Sequence, residues 1–163
     1  MHGNFARSLY RKKHPNRLAM AINRISEFIG RVGLAGNYMV TLQVKGRISG
    51  RPISFPVVVA PVAGERYLVA MLGENVAWVR NVRAAGGRAV LCRGGREAVI
   101  LDEVPPAQRA PVLQVFLRRA PGARPHIPID RNAPLTEFEK IAAAYPVFRV
   151  RIDSDNSAEV QHR

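Results

Sequence analysis

Alternation of apolar and polar positions predicts a β-strand at residues 38–45. The even positions of this segment are all apolar and most of the odd ones are polar, which is the period of a strand with one buried face. Five further apolar runs predict strands at 53–60, 66–72, 88–93, 96–104 and 147–152. Gly94-Gly95 between two of them is a hairpin signal. Pro56 cannot donate to a strand ladder, so we expect a free edge or a bulge beside it.

Helical periodicity predicts an amphipathic helix in the basic segment 1–31. Apolar residues recur there at intervals of four, three and four, from Leu18 to Ile29. The segment has seven basic residues and one acidic residue, Glu27. Three interpretations stay open: the helix packs on the remaining domain, it contacts an anionic membrane surface peripherally, or it is an organelle transit peptide.

Three more helices are predicted further along the chain. We expect one over 76–85 with Asn75 as its N-cap, one from Pro105 to Arg119, and one to about Ala144 that begins with a Thr136/Glu139 capping box. Four prolines make 120–134 an irregular loop. The polar residues 154–163 form a predicted flexible tail.

The order of these elements favours an α+β fold. About six mostly antiparallel strands with short turns and flanking helices indicate a small β-barrel rather than a doubly wound sheet. A chain of 163 residues suits one such domain, which we place at residues 32–153.

Composition favours a cytoplasmic protein, with the inner face of the plasma membrane as a second location. No apolar run reaches the roughly 18 residues of a membrane span. Cys92 is the only cysteine and is expected to pack in the core, and no secretory signal is recognised. The net charge of +13, most of it before residue 52, indicates an anionic partner. Nucleic acid is disfavoured, because the aromatic residues do not interleave with basic ones along a strand.

Several enzyme classes lack their residues. No nucleophile elbow or serine–histidine spacing supports a hydrolase, and no pair of ligands has zinc spacing, so no metal is expected. Neither a Walker loop nor a dinucleotide-binding glycine motif occurs. A bound organic cofactor that carries the reaction fits what remains.

A cationic turn, Lys45-Gly46-Arg47-Ile48-Ser49-Gly50-Arg51-Pro52, joins the first two strands. Glycine lets backbone amides approach a ligand closely, so the turn is a candidate anion site. The alternative is an ordinary solvated hairpin turn whose basic residues serve solubility.

This turn, with the later Trp78-Val79-Arg80-Asn81-Val82-Arg83-Ala84, resembles the deazaflavin-dependent nitroreductase and quinone reductase family, which has a glycine-arginine-x-serine-glycine turn before a W-x-x-N-x-x-A helix. The resemblance spans about residues 38–104. It implies a split β-barrel that binds coenzyme F420 and passes hydride to a quinone or nitroaromatic acceptor, with a homodimer as a further expectation. The cofactor-binding residues implied are Lys45, Arg47, Ser49, Gly50, Arg51, Pro56, Met71, Leu72, Gly73, Ala77, Trp78 and Asn81.

Each transferred role has a structural alternative. Trp78 would contact the ring of the coenzyme or anchor its helix in the core. Asn81 would join the site or hydrogen-bond a neighbouring loop. His126 and Tyr145 are candidates for the acceptor side, or plain loop residues. The catalytic residue is not identified.

The sequence departs from the family pattern at Ile48, Ile53, Met71 and Leu72, where active relatives have cationic or polar residues. These changes favour a more apolar ligand. A catalytically weak relative that binds a fatty acid or other lipid is therefore the alternative function.

Overall fold

The computed structural model describes residues 38–160 of the chain. The amphipathic helix expected within 1–31 and its membrane contact lie outside the described residues and stay predictions. Within 38–160, no helix has both the length and the apolar content to cross a membrane.

Six strands form a closed barrel, which confirms the predicted fold class. They are β1 (Met39–Lys45), β2 (Pro52–Val62), β3 (Glu65–Val69), β4 (Arg88–Cys92), β5 (Arg96–Glu103) and β6 (Val147–Ile152). The strands lie in the order β1-β2-β3-β6-β5-β4, and β4 pairs with β1 to close the barrel. Every pairing is antiparallel.

Pro56 lies in a part of β2 that pairs with β1 but not with β3. This matches the free edge, one of the two positions expected for it. It faces Thr41 of β1 in a continuous register without a bulge, and β3 pairs only with 59–62 of β2. The Val59 N–H donates to the Tyr38 carbonyl at 2.8 Å, so odd residues of β2 donate towards β1. The nitrogen of Pro56 therefore points to the side where no strand needs a donor.

Within residues 38–160, four α-helices flank the barrel: α1 (Ala77–Ala84), α2 (Ala110–Arg119), α3 (Leu135–Ile141) and α4 (Ser157–Val160). Helix α1 closes one end, because its buried Val79 and Val82 join the core inside the barrel. That core is built from inward-facing strand residues, which include Leu42, Phe55, Leu68, Leu91, Val99 and Phe148.

A second core lies outside the barrel. Helices α2 and α3 bury Leu113, Leu117 and Phe138 against Ala60 of β2 and Val147 of β6. The helices thereby cover one outer side of the barrel.

Several predicted boundaries are wrong. Val76, not Asn75, is the N-cap of α1, and neither α1 nor α3 has a side-chain cap, so the Thr136/Glu139 capping box does not form. The helix predicted from Pro105 begins at Ala110, after a short 3-10 turn at Pro106–Gln108. Val76 and Pro134, which precede α1 and α3, both have extended backbone.

The described part of the predicted flexible tail is held against the barrel. Asp153 is buried and its N–H donates to the Ala98 carbonyl of β5 at 2.9 Å. Its own carbonyl accepts from the Ser157 hydroxyl at 2.6 Å, at the start of α4. These bonds connect residues 153–157 to β5, while the flexibility of 154–163 stays a prediction.

The barrel has two distinct ends, which follow from the strand directions. The capped end consists of the turn 45–52, the loop 70–76 and α1. The open end consists of Tyr38 and the turns 62–65 and 92–96.

Candidate functional site

The cationic turn at the capped end is a compact loop with its own hydrogen bonds. The Gly46 N–H donates to the Arg51 carbonyl at 2.8 Å, and the Gly50 N–H donates to the Gly46 carbonyl at 2.9 Å. Gly50 has a φ of 68°, where other residues are strained. A Cβ at Gly46 would lie 2.7 Å from the Ser49 hydroxyl oxygen and 2.9 Å from a methyl of Ile53. Both glycines are therefore required by the shape of the turn.

Most amides of this turn are used internally. Four N–H groups donate to acceptors within the chain, those of Gly46, Arg47, Gly50 and Arg51. The acceptor for the Arg51 N–H is the Ser49 hydroxyl oxygen. The amides of Ile48 and Ser49 have no acceptor among the described residues. An anion would meet these two amides and the side chains around them, rather than the glycine amides that the sequence suggested.

Asn81 ties the turn to α1. Its side-chain oxygen accepts from the Arg47 N–H at 3.2 Å and from Arg47 Nη1 at 2.9 Å. Asn81 is only 3% exposed, so this buried acceptor is satisfied by the turn. The expected hydrogen bond between Asn81 and a neighbouring loop is thus present, and it fixes the turn relative to α1.

Two cations of the turn are left without a partner among the described residues. The side chains of Lys45 and Arg51 are exposed and form no ion pair there, while Arg47 bonds only the neutral Asn81. Ile48 at the tip is 88% exposed. The turn therefore concentrates positive charge beside a solvent-facing apolar residue.

Trp78 is mainly a packing residue. Its ring centroid lies 5.7 Å from that of Phe55 and 5.5 Å from that of Phe148, in tilted arrangements. Both partners belong to the barrel core, and Trp78 is partly buried against them. Pro56, which follows Phe55, and Ala77, which precedes Trp78, are also partly buried. The contact between Phe55 and Trp78 joins β2 to α1.

The loop after β3 holds the implied residues Met71, Leu72 and Gly73. Met71 packs against the outer core, whereas Leu72 is 43% exposed. Gly73 has a φ of 89°, and a Cβ there would lie 3.5 Å from the Ala144 carbonyl. The predicted third strand is shorter than expected and ends at Val69, so these residues lie in a turn.

An ion network follows this loop. Arg83 of α1 bonds both Glu74 and Glu103, and these two carboxylates raise its pKa. The hydrogen bond from Arg83 lowers the pKa of Glu74. The network anchors loop 70–76 to α1 and β5.

Arg109 is a buried residue that sequence reasoning missed. It is 5% exposed, and its guanidinium donates to the Val104 carbonyl at 2.8 Å and to carbonyls of Ala142 and Ala143 at 3.3 Å. Burial lowers its pKa, which Glu103 partly offsets. Ala142 and Ala143 lie 33 and 34 residues from Arg109 in the sequence, so only the fold reveals these contacts.

His126 and Tyr145 lie together, although not through their functional groups. The Tyr145 hydroxyl donates to the backbone carbonyl of His126 at 2.9 Å. The tyrosine thereby holds loop 120–134, and the His126 side chain is exposed. Among the described residues, neither side chain has a recorded hydrogen bond with the cationic turn.

A cavity of about 500 Å³ occupies the opposite, open end, where no residue was predicted to act. Its walls include Val40, Val59 and Leu91 together with Arg66, Arg96 and Glu97. The sequence did contain a signal for this cavity. Arg66 and Glu97 continue the core-facing positions of β3 and β5, so two charged side chains face inward at strand ends.

The sequence matches no family model and no curated protein. Solved structures resemble it in fold. An F420-H2-dependent reductase (FDR-A) has a TM-score of 0.50 at 16% identity and covers 71% of this chain and 95% of its own. A heme-binding protein from Mycobacterium smegmatis has a TM-score of 0.50 at 13% identity, covering 78% of this chain and 51% of its own. A domain-swapped dimer has a TM-score of 0.51 at 14% identity, covering 83% and 100%.

At such identities these similarities establish a shared barrel fold alone. The three proteins named bear different descriptions on that fold, so function has to be argued from the residues of the site.

Proposed function

We propose that this protein is a deazaflavin-dependent oxidoreductase that binds coenzyme F420 at the capped end and reduces a quinone or nitroaromatic-type acceptor. The observation that carries the proposal is the cationic turn, fastened to α1 by Asn81, with the side chains of Lys45 and Arg51 exposed and unpaired among the described residues. A fold neighbour described as an F420-H2-dependent reductase is consistent with it.

The residues present fit the anionic tail of such a coenzyme. Lys45 and Arg51 would bind its phosphate or carboxylate groups, since no carboxylate of the described chain competes for them. The amides of Ile48 and Ser49, which have no acceptor among the described residues, would add hydrogen bonds at the same place. Arg47 would act as a positioning residue, because its guanidinium already holds Asn81.

The remaining implied residues would shape the wall beside the ring. Trp78 is fixed by Phe55 and Phe148, so its exposed part presents a rigid apolar surface. Leu72 and the backbone at Gly73 border the same end of the barrel. When bound in its reduced form, the coenzyme supplies two electrons as a hydride. The protein supplies placement, which lowers the barrier by avoiding the entropy loss of a bimolecular encounter.

A second candidate is a protein that binds a fatty acid or other lipid without turnover. It is favoured by the exposure of two apolar side chains at the capped end, Ile48 at 88% and Leu72 at 43%. Isolated exposed apolar residues are common on soluble proteins, so this observation has less weight than the unpaired cations.

We also propose a homodimer. The domain-swapped dimer among the fold neighbours is consistent with it. Light scattering of the full chain at several concentrations decides between a monomer and a dimer.

Fluorescence titration with coenzyme F420 tests the tail site. The double substitution Lys45→Gln/Arg51→Gln is expected to weaken binding about tenfold at low ionic strength, with a smaller effect in high salt, because exposed charges are screened. Thermal stability should stay nearly unchanged, since neither side chain has a folded-state partner among the described residues.

The matched control is Arg118→Gln/Arg131→Gln, which removes the same charge from exposed positions outside the turn. If the control and the turn variant lose affinity equally, the effect is net charge alone and the turn is not the site. Equal affinity of the turn variant and the parent chain would also remove the turn from the site.

A further inference from the structure

The tip of the cationic turn 45–52 exposes an apolar side chain between two cations. Ile48 is 88% exposed. Lys45 and Arg51, on either side of it in the sequence, form no ion pair with any residue that the structure describes. A single exposed apolar residue carries little information. The combination carries more, because affinity for an anionic bilayer grows with buried apolar area and with electrostatic attraction to the headgroups.

The turn is held in a fixed shape below this tip. The Gly46 N–H donates to the Arg51 carbonyl at 2.8 Å, and Asn81 of α1 accepts two hydrogen bonds from Arg47. Because the loop is ordered in advance, little conformational entropy is lost when Ile48 enters an apolar environment. Phosphate oxygens of a headgroup would also supply acceptors for the two tip amides that have none among the described residues, those of Ile48 and Ser49.

The surface around the turn has the same character. Leu72, in the loop 70–76 at this end of the barrel, is 43% exposed. Arg80 of α1 is exposed and donates to the neutral Asn75 side chain at 3.1 Å. Arg88, which begins β4 at the same end, is exposed as well. The capped-end surface thus consists of apolar and cationic side chains, those of Lys45, Ile48, Arg51, Leu72, Arg80 and Arg88.

The ion-paired carboxylates at this end are balanced by their own partners. Glu74 and Glu103 both bond Arg83, and Glu103 also lies 3.5 Å from Arg109 Nη2. Two cations therefore meet two carboxylates. The cations of the capped-end surface form no ion pair with the described residues, so this end has an excess of positive charge around its exposed apolar side chains.

We propose that the capped-end surface docks on an anionic lipid bilayer, with Ile48 inserted among the headgroups and with Lys45 and Arg51 bound to lipid phosphates. A soluble anion would satisfy the cations and leave Ile48 in water, so the exposed apolar tip decides for the bilayer. This contact belongs to the barrel and is separate from the membrane contact expected of segment 1–31. Lys45 and Arg51 also belong to the proposed coenzyme site, so the deciding substitutions are made at Ile48.

A fluorescent label at the tip of the turn tests the contact in the full chain. Ile48→Cys is placed in a Cys92→Ser background and labelled with an environment-sensitive dye. Vesicles of equal parts phosphatidylcholine and phosphatidylglycerol should shift the emission to shorter wavelength, and nitroxide-labelled lipid should quench it, because the dye leaves water. The control label is at Ile152→Cys, a position that is 55% exposed at the opposite end of the barrel, and it should stay in water.

Vesicle sedimentation of unlabelled variants measures the apolar contribution. Ile48→Ser should weaken binding to the same vesicles about fivefold, because a serine side chain gains little from leaving water. Ile152→Ser is the matched control, since it removes the same exposed side chain from the other end, and it should bind as the parent chain does. Thermal unfolding of each variant reports its folding.

The cationic contribution has its own pair of variants. Lys45→Gln/Arg51→Gln should weaken binding at least about tenfold, because each cation near an anionic surface contributes about fivefold. Arg118→Gln/Arg131→Gln removes the same charge elsewhere and should have a smaller effect. Vesicles of phosphatidylcholine alone should bind the parent chain much more weakly than the anionic vesicles do.

Three results overturn the inference. The full chain does not bind the anionic vesicles, or it binds them while the label at position 48 stays in water, or Ile48→Ser binds them as well as Ile152→Ser does. The second result would assign binding to other basic parts of the chain, and the third would leave the turn to soluble anions. Coenzyme titration without vesicles reports the proposed function separately, since neither the label shift nor the loss in Ile48→Ser requires the coenzyme.

Discussion

At the scale of single residues, Asn81 is the side chain on which the capped end depends. Its buried oxygen accepts two hydrogen bonds from Arg47, one from the backbone and one from the side chain. The sequence left two roles open for Asn81, a place in the cofactor site or a hydrogen bond to a neighbouring loop. The sequence alone could not show that the partner is Arg47, one of the cations implied in cofactor binding. The two residues are 34 positions apart, and only the fold shows how close they lie.

Asn81→Ala should destabilise the fold by about 1–2 kcal/mol, because the two donors of Arg47 lose their acceptor. Urea unfolding measures the loss. Hydrogen exchange at the Arg47 amide should accelerate by a larger factor than exchange in the strands. The control is Asn75→Ala, whose exposed side chain accepts one bond from Arg80 at 3.1 Å. Equal unfolding midpoints for Asn81→Ala and the control would contradict this role.

At the scale of elements, the sequence predicted every strand but not how the helices begin. The strands have a strong alternation that burial enforces, whereas α1 and α3 start without side-chain caps. At the other end of α3, buried Arg109 donates from a position before α2 to the carbonyls of Ala142 and Ala143. Local sequence patterns do not specify this tertiary contact.

Arg109→Met should cost about 2–4 kcal/mol of unfolding free energy, because the substitution keeps apolar volume but leaves the carbonyls that Arg109 serves without their donor. Chemical denaturation quantifies the effect. Arg88→Met, at an exposed position, should change stability by less than about 0.5 kcal/mol. If Arg109→Met lowers the free energy of unfolding no more than Arg88→Met does, water replaces the hydrogen bonds of Arg109 and the role is contradicted.

The β5–β6 pairing should depend on pH through Asp102. Hydrogen bonds from Arg151 at 3.0 and 3.3 Å, with Arg149 at 3.6 Å, lower the pKa of Asp102. A lowered folded-state pKa stabilises the fold above the unfolded pKa of about 4, and this stability is lost as the pH falls through the folded pKa. Asp102→Asn should therefore be less stable than the parent at pH 6, and the difference should shrink as the pH falls below about 4.

Melting temperatures across this pH range decide the point. Asp155→Asn is the control, because Asp155 is exposed and forms no ion pair with the other residues that the structure describes. A gap between Asp102→Asn and the parent that stays constant from pH 6 to pH 2 would mean that the ion pair does not cause it.

At the scale of the whole molecule, the barrel was predictable and its open end was not. Six alternating strands with short turns leave few other arrangements, because closing the sheet removes its exposed edges. The cavity depends on which charged residues end up facing inward at strand ends. Arg66 and Glu97 meet across β6 although 31 residues separate them, and no local pattern specifies that contact.

The cationic turn, too, was predictable from the sequence only in part. Its position between β1 and β2 and its glycine requirement followed from the sequence. The internal use of four of its amides did not, because those bonds depend on the closed shape of the loop and on α1. Lys45 and Arg51 therefore replace the glycine amides as the expected anion contacts.

The most direct test of the central proposal is to mix the purified full chain with reduced coenzyme F420 and menadione and to follow oxidation of the coenzyme by absorbance. The proposal predicts oxidation above the rate without protein, reduced in Lys45→Gln/Arg51→Gln and retained in Arg118→Gln/Arg131→Gln. Mass spectrometry of ligands extracted from the same preparation provides the counterpart. A stoichiometric fatty acid, together with no affinity for the coenzyme and no oxidation above background, would contradict the reductase and establish the lipid-binding alternative.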